Sequence, residues 1–288
     1  MKPLGAFSTS EFSLVDRWIL SRLQHVIHST RAALEEFRFN DAALGIYQFL
    51  WHEYCDWYIE MSKLPLGASD VRAVERTVAV LVHVLEQALR LLHPMMPFVT
   101  EEIWQHLPIE RRSQSIMTGP FPRADEAWRS VEVEQCVGQL LAAVRGVRNL
   151  RADLGLPPVQ AVTVRIPSAV SPELEQLLRS YLPLLARAGA VERLTEGEHP
   201  VGEPSVLVEG VGELFVPVRG IVDTTEVRQR LQRELDKVGK DLEQVEGKLA
   251  REDFLARAPR DIVEKEKEKA LSLRQRATNL RRHLEALT

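Results

Sequence analysis

The sequence predicts a mainly α-helical protein: a helical bundle, then a small α+β domain, then an antiparallel coiled-coil hairpin. Three observations point there. Apolar residues recur every three to four positions through most of the first 156 residues, alternate every second residue from Val159, and return to strict four-three steps after Asp223. The expected domains are 1–156, 157–222 and 223–288.

Taking the elements in order, residues 13–37 place Leu14, Trp18, Leu23, Ile27, Leu34 and Phe37 at helical spacing. Phe39 and Asn40 then read as a cap signal for a second helix running to about Lys63. Its aromatic stretch "WHEYCDWYIEMSK" suggests one buried stripe of Tyr47, Leu50, Trp51, Tyr54, Trp57, Tyr58 and Met61. Pro65 and Gly67 break it, and Ser69 or Asp70 caps a third helix that buries Val71, Val74, Val78, Leu81, Leu85, Leu89 and Leu92. That helix stops at "HPMMP", because Pro94 and Pro97 cannot continue the hydrogen-bond ladder. The short helix "FVTEEIWQHL" follows, then the loop "PIERRSQSIMTGPFP". A long helix from about Asp125 next presents Val137, Leu140, Leu141, Val144, Val147 and Leu154.

The α+β domain opens on the strand pattern "VQAVTVRIP". "SPELEQLLRSYLPLLARAG" then reads as a helix with Ser171 as cap and Pro172 in its first position, and "SVLVEGVGELFVPV" as two strands around a turn. In the last part, Leu231, Leu235, Val238, Leu242, Val245 and Leu249 form one heptad stripe, and Leu273, Ala277, Leu280, Leu284 and Leu287 a second. The Pro-containing "REDFLARAPRD" between them predicts a fold-back into a hairpin. Residues 223–240 with 269–288, the root of the hairpin, hold ten Lys and Arg against five acids, whereas 241–268 hold six against nine. A polyanion is therefore drawn to the root.

The chemistry of the chain is defined largely by exclusion. The net charge of −4 excludes a globally basic nucleic-acid binder, so contacts with RNA must come from local patches. Cys55 and Cys136, each in a helical pattern, read as two reduced core thiols. No run reaches membrane-span length and the first residues lack the apolar core of a signal peptide, so a cytoplasmic protein is expected. No P-loop, dinucleotide fingerprint or nucleophile elbow occurs. The eight histidines, His25, His28, His52, His83, His93, His106, His199 and His283, make no metal-binding pair, so no metal site is expected. Glu53, Asp56 and Glu60 fall near one helix face, and structural ion pairs are favoured there over acid-base work. Arg145, Arg148 and Arg151 step by three. Arg151 sits at the margin of the buried stripe, so its partner is either a carboxylate such as Asp153 or Asp56, or a phosphate or base edge.

Three segments, "DRWILSRL", "FLWHEYCDWYIEMSK" and "LLHPMMPFVTEEIWQHL" followed by "SIMTGPFP", resemble the helical anticodon-binding domain of the valyl, isoleucyl and leucyl class I aminoacyl-tRNA synthetases. "VRNLRADLGLPP", the α+β segment and the hairpin resemble the valyl branch specifically. The resemblance runs from about Ser13 to the end and implies binding of the valine anticodon, with the hairpin leaning on the outer corner of the tRNA. It also implies that ATP and Mg2+ belong only to a catalytic domain, because the H-I-G-H and K-M-S-K-S signatures of that domain are missing and "EMSK" at 60–63 is no substitute. The expectation is a C-terminal portion of such a ligase or a free-standing paralogue. It is expected to be monomeric, non-catalytic alone, without cofactor, and not a binder of DNA or membranes. Candidate tRNA contacts are Arg17, Arg22, Phe39, His52, Arg145, Arg148 and Arg151 in the body. In the arm they are Arg228, Arg230, Arg233, Lys237, Lys240, Arg274, Arg276, Arg281 and Arg282. The alternative is a coiled-coil interaction module with no role in aminoacylation.

Overall fold

The structure is a computed structural model that describes residues 2–109, 113–157, 159–198, 200–218, 220–221, 223–251, 254 and 258–287. His199 and most of the expected hairpin turn lie outside the described residues. The chain divides into two compact units, Met1–Gly138 and Gln139–Thr288.

The first unit is helical. Helix α1 (Leu14–Glu35) starts at a capping box in which Ser13 and Asp16 bond each other's backbone N–H at 3.1 Å. It is followed by α2 (Phe39–Gln48), a π-helical stretch (Phe49–Tyr58) and α3 (Ile59–Leu66), which form one continuous rod. Helices α4 (Val71–Leu92) and α5 (Pro97–His106) complete the set. Asp70 caps α4 by accepting from Arg72 and Ala73, while Pro97 opens α5. Ile19, Leu20, Leu23, Ile46, Phe49, Tyr58, Met61, Leu91 and Trp104 are fully buried. Asp16 is buried with them, accepting from Tyr58 Oη at 2.7 Å and Arg76 Nε at 3.2 Å.

Several expectations need correcting here. The second helix continues through Pro65 to Leu66, and its N-cap is Arg38, with Phe39 and Asn40 already inside. The aromatic stripe is split: Phe49, Tyr54, Trp57, Tyr58 and Met61 are buried, but Tyr47 and Trp51 face solvent. The cause is the π-helical register. Hydrogen bonds from residue i to i−5 widen the turn, so the buried positions 46, 49, 54, 58 and 61 take one five-residue step that an α-helical count misses. In α4 the deepest positions are Val80, Val84, Ala88 and Leu91, and Val71 is exposed. Phe37, expected to be buried, is also exposed, and of the two expected core thiols Cys55 is exposed and Cys136 half-buried.

Helix α6 (Val131–Asp153) has residues in both units, and its later turns, in the second, bury every apolar residue expected of them, from Leu140 to Leu154. The sheet is β1 (Val162–Ile166), β2 (Ala188–Arg193), β3 (Ser205–Val208) and β4 (Gly212–Phe215), in the order β2-β1-β4-β3. β1 and β2 are parallel and joined by α7 (Pro172–Ala186), with Ser171 as cap and Pro172 first; β3 and β4 form an antiparallel hairpin. β2 was not legible in the sequence: the run "ARAG" continues the helical pattern, and the helix ends only because Arg187 turns left-handed at φ 56°. Helices α8 (Thr224–Leu249) and α9 (Arg260–Ala286) pack against each other as the expected hairpin, with Leu231, Val238, Val245, Ala270, Ala277 and Leu280 buried in the seam.

The root of the hairpin is tied down by polar contacts. Arg276 on α9 meets Asp153 Oδ1 at the end of α6 at 2.6 Å and Glu234 Oε1 on α8 at 2.6 Å. His283 donates from Nε2 to the Ser205 carbonyl of β3 at 3.1 Å, and Arg230 donates to the Asp153 carbonyl. Just beyond lies Gly155 at φ 62°, where a Cβ would overlap the Arg230 guanidinium. Gly155→Ala should therefore cost about 1–2 kcal/mol through the left-handed backbone alone, and more where Arg230 is displaced from Asp153. Chemical denaturation of the variant measures that cost.

Candidate nucleic-acid interface

The outward face of α2 and its π-helical extension carries an aromatic ledge. Phe39, Ala43, Tyr47 and Trp51 follow one another at i, i+4, the spacing that puts side chains on one face, over a span of about 18 Å. Phe39 and Trp51 are 57% and 56% exposed. Tyr47 and Trp51 lie nearly parallel, 6° between planes and 6.4 Å between centroids, and His52 meets Tyr47 edge-on at 6.0 Å. At the other end Phe37 packs edge-on against Phe39 at 6.2 Å while itself 79% exposed.

Phe37 occupies a strained position. Its N–H bonds the Leu34 carbonyl and that of Arg38 bonds the Ala33 carbonyl, which is the Schellman closure of α1, and it sits at φ 58° where glycine is usual. A bulky side chain in left-handed backbone costs roughly 1–2 kcal/mol, and here the ring recovers little of that by burial.

Charge on the ledge is arranged rather than concentrated. Arg38, between the two phenylalanines, is held by Glu36 at 2.7 Å and Asp41 at 2.6 Å, and these hydrogen bonds raise its pKa. His52 Nδ1 lies 3.2 Å from Asp56 Oδ2. Such a surface offers flat apolar faces with donors along the edge, the pattern that receives unpaired bases.

The comparisons with known proteins bear on the same helices. Residues 16–166, more than half of the chain, match the family described as the anticodon-binding domain of tRNA ligase. The chain belongs to that family. Residues 223–288 match the valyl tRNA synthetase tRNA binding arm. Similar curated proteins include the valine–tRNA ligases of Syntrophotalea carbinolica, 39% identical over 96% of the chain, Thermotoga maritima, 39% over 92%, and Geobacillus stearothermophilus, 37% over 91%. The chain spans 31%, 30% and 30% of their respective lengths.

Within this anticodon-binding fold the expected contact residues fare unequally. Phe39 and His52 lie on the ledge, joined by Phe37, Tyr47 and Trp51, which sequence reasoning missed. The signal for the last two is in the sequence: 39, 47 and 51 run out of phase with the buried 42, 46 and 49. Arg17 is half-buried on α1. Arg22 is engaged within the bundle: Nε and Nη2 donate to Glu53 at 2.7 and 2.9 Å and Nη1 to Glu134 at 3.1 Å. The ion-pair roles expected of the acids hold, with Glu53 on Arg22, Asp56 beside His52 and Glu60 on Lys63.

The second unit holds the other candidates. Arg145 and Arg148 are exposed, and Arg148 Nε donates to the Leu185 carbonyl at 2.7 Å. Arg151 is buried, and its fork donates to the carbonyls of Arg187, Pro157 and Gln160 at 3.3, 3.0 and 2.7 Å. Backbone carbonyls rather than a carboxylate are its partners within the chain, and through them it staples the turn after α6. On the arm, Arg230 and Arg276 serve the root contacts and Arg274 pairs with Glu246 at 2.6 Å. Arg228, Arg233, Lys237, Lys240 and Arg281 are exposed, with Arg282 half-buried.

Proposed function

We propose that this chain is the tRNA-binding region of a valine–tRNA ligase. Its bundle reads the anticodon of tRNA(Val) on the aromatic ledge, and the exposed cations at the root of the arm hold the phosphate backbone near the outer corner. The observation that carries the reading is the row of exposed aromatics at Phe37, Phe39, Tyr47 and Trp51 in a fold of the anticodon-binding family. ATP and Mg2+ are bound by a catalytic domain, and the chain itself performs no step of aminoacylation. It works as a cytoplasmic monomer and takes neither DNA nor membrane; no helix among the described residues is long and apolar enough to cross one.

The competing reading, a coiled-coil module for protein contacts, meets a specific difficulty: α8 and α9 pack on each other and bury Leu231, Val238, Val245, Ala277 and Leu280 of their heptad stripes in that seam. Titrating labelled tRNA(Val) at several salt concentrations tests the proposal. Binding should weaken linearly in log–log form, and Arg281→Glu with Lys237→Glu should lower the slope by about one for each phosphate that is no longer neutralised. Equal affinity for an unrelated tRNA, or no binding, would overturn it.

A further inference from the structure

The second unit contains a cleft of about 290 Å3 between the last turns of α6, β3 and α9 that neither the ledge nor the cationic arm root accounts for. Its mouth is set with neutral amides: Asn149 and Gln275 are exposed and Asn279 half-buried. Leu150 and Val206 supply apolar wall. The inner end is the buried pair Asp153 and His283, whose Oδ2 and Nδ1 are 3.7 Å apart.

Charge and hydrogen-bonding capacity define what fits. Arg276 at the wall is offset by both Asp153 and Glu234, so the cleft has no surplus positive charge and is unsuited to a phosphate. Because His283 gives its Nε2 proton to the Ser205 carbonyl, Nδ1 in the neutral ring is a lone-pair acceptor, and that buried atom has no hydrogen-bond partner. Burial holds the imidazole below its usual pKa, which keeps it in that form at neutral pH. A ligand that fills the inner end must therefore bring a donor, whereas the carboxamides at the mouth can match donors and acceptors alike.

We infer that this cleft receives one unstacked nucleobase of the bound RNA, which presents an N–H of its Watson–Crick edge to His283 Nδ1. The inference rests on the RNA-binding reading above and adds to it a base-binding subsite in the second unit, made of amides and acceptors rather than aromatics and cations.

The test uses the whole chain and a tRNA(Val) transcript. Gln275→Ala with Asn279→Ala should weaken binding about tenfold at every salt concentration, with an unchanged slope of log affinity against log salt, because base contacts release no counterions. Unchanged affinity, or a slope lowered by about one, would overturn the inference. A photo-crosslinking side chain placed at Ser272 should join a base of the tRNA; joining only a second polypeptide would overturn it too. A wild-type chain with no affinity for tRNA would overturn the RNA-binding reading as well, whereas a double variant that binds like wild type strikes at the cleft alone. An unchanged melting temperature of the double variant shows that its weaker binding does not come from unfolding.

Discussion

Trp51→Ala should weaken tRNA binding roughly ten- to a hundredfold, and Phe39→Ala by a similar factor. Removing one base–aromatic stack costs about 1–3 kcal/mol, and each 1.4 kcal/mol is a factor of ten. Both rings are more than half exposed, so neither change should move stability by more than about 0.5 kcal/mol. The two effects separate contact from scaffold. Trp57→Ala is the contrasting control, because that ring is buried and its removal should cost about 3–5 kcal/mol of stability. Trp51→Phe keeps an aromatic face and should retain most of the affinity. Fluorescence anisotropy with tRNA(Val), paired with a thermal melt of each variant, measures both quantities. If Trp51→Ala bound as tightly as the unaltered chain, the ledge would not be the reading surface.

That contrast also shows where the sequence was legible. The heptad stripes of α8 and α9 could be read directly, because a repeat of 3.5 aligns residues in only one way and the seam is buried inside the chain. The capping of α4 by Asp70 and of α7 by Ser171 followed from local side-chain chemistry. The aromatic helix did not yield so easily, because its period is not constant. Counting at three or four places Tyr47 and Trp51 with Tyr54 and Met61, whereas the i−5 bonds between Phe49 and Tyr58 rotate the two sets apart. Nothing in residue type announces a π-helical register; only the positions of the buried neighbours do. The partners of Arg151 were hidden for a different reason. Its spacing correctly set it at the edge of the core, but carbonyls released by the chain's exit from α6 satisfy it, and such partners leave no trace in sequence. Arg22 shows the same limit, since the carboxylates that hold it come from residues 31 and 112 positions away.

The ion pair at the root of the arm should contribute measurably to stability. Arg276→Ala would leave Asp153, 4% exposed at its side chain, without its arginine and with Glu234 nearby. Removing one partner of a fully buried pair costs about 3–5 kcal/mol; the Arg276 side chain is 35% exposed, so solvent screening reduces the expected loss to about 2 kcal/mol. The pH dependence identifies the cause. Burial already pushes the Asp153 carboxyl above its usual range, with Arg276 pulling it back, so losing Arg276 lets it rise further. A carboxyl whose folded pKa lies above the unfolded value binds more protons when folded, and its penalty therefore shrinks as pH falls. His283 acts the other way in the unaltered chain: its folded pKa is lowered, chiefly by burial, so stability declines as pH drops below about 6.5. Without Arg276, which helps to lower it, His283 protonates more readily and presents Nδ1–H to Asp153. Both effects narrow the gap between variant and parent in acid. The deficit from urea unfolding should therefore be greatest near pH 7.5 and shrink toward pH 5, and adding Asp153→Asn should recover about half of it at neutral pH. A deficit independent of pH would mean that Arg276 acts by packing its stem against the α8–α9 seam rather than through its charge.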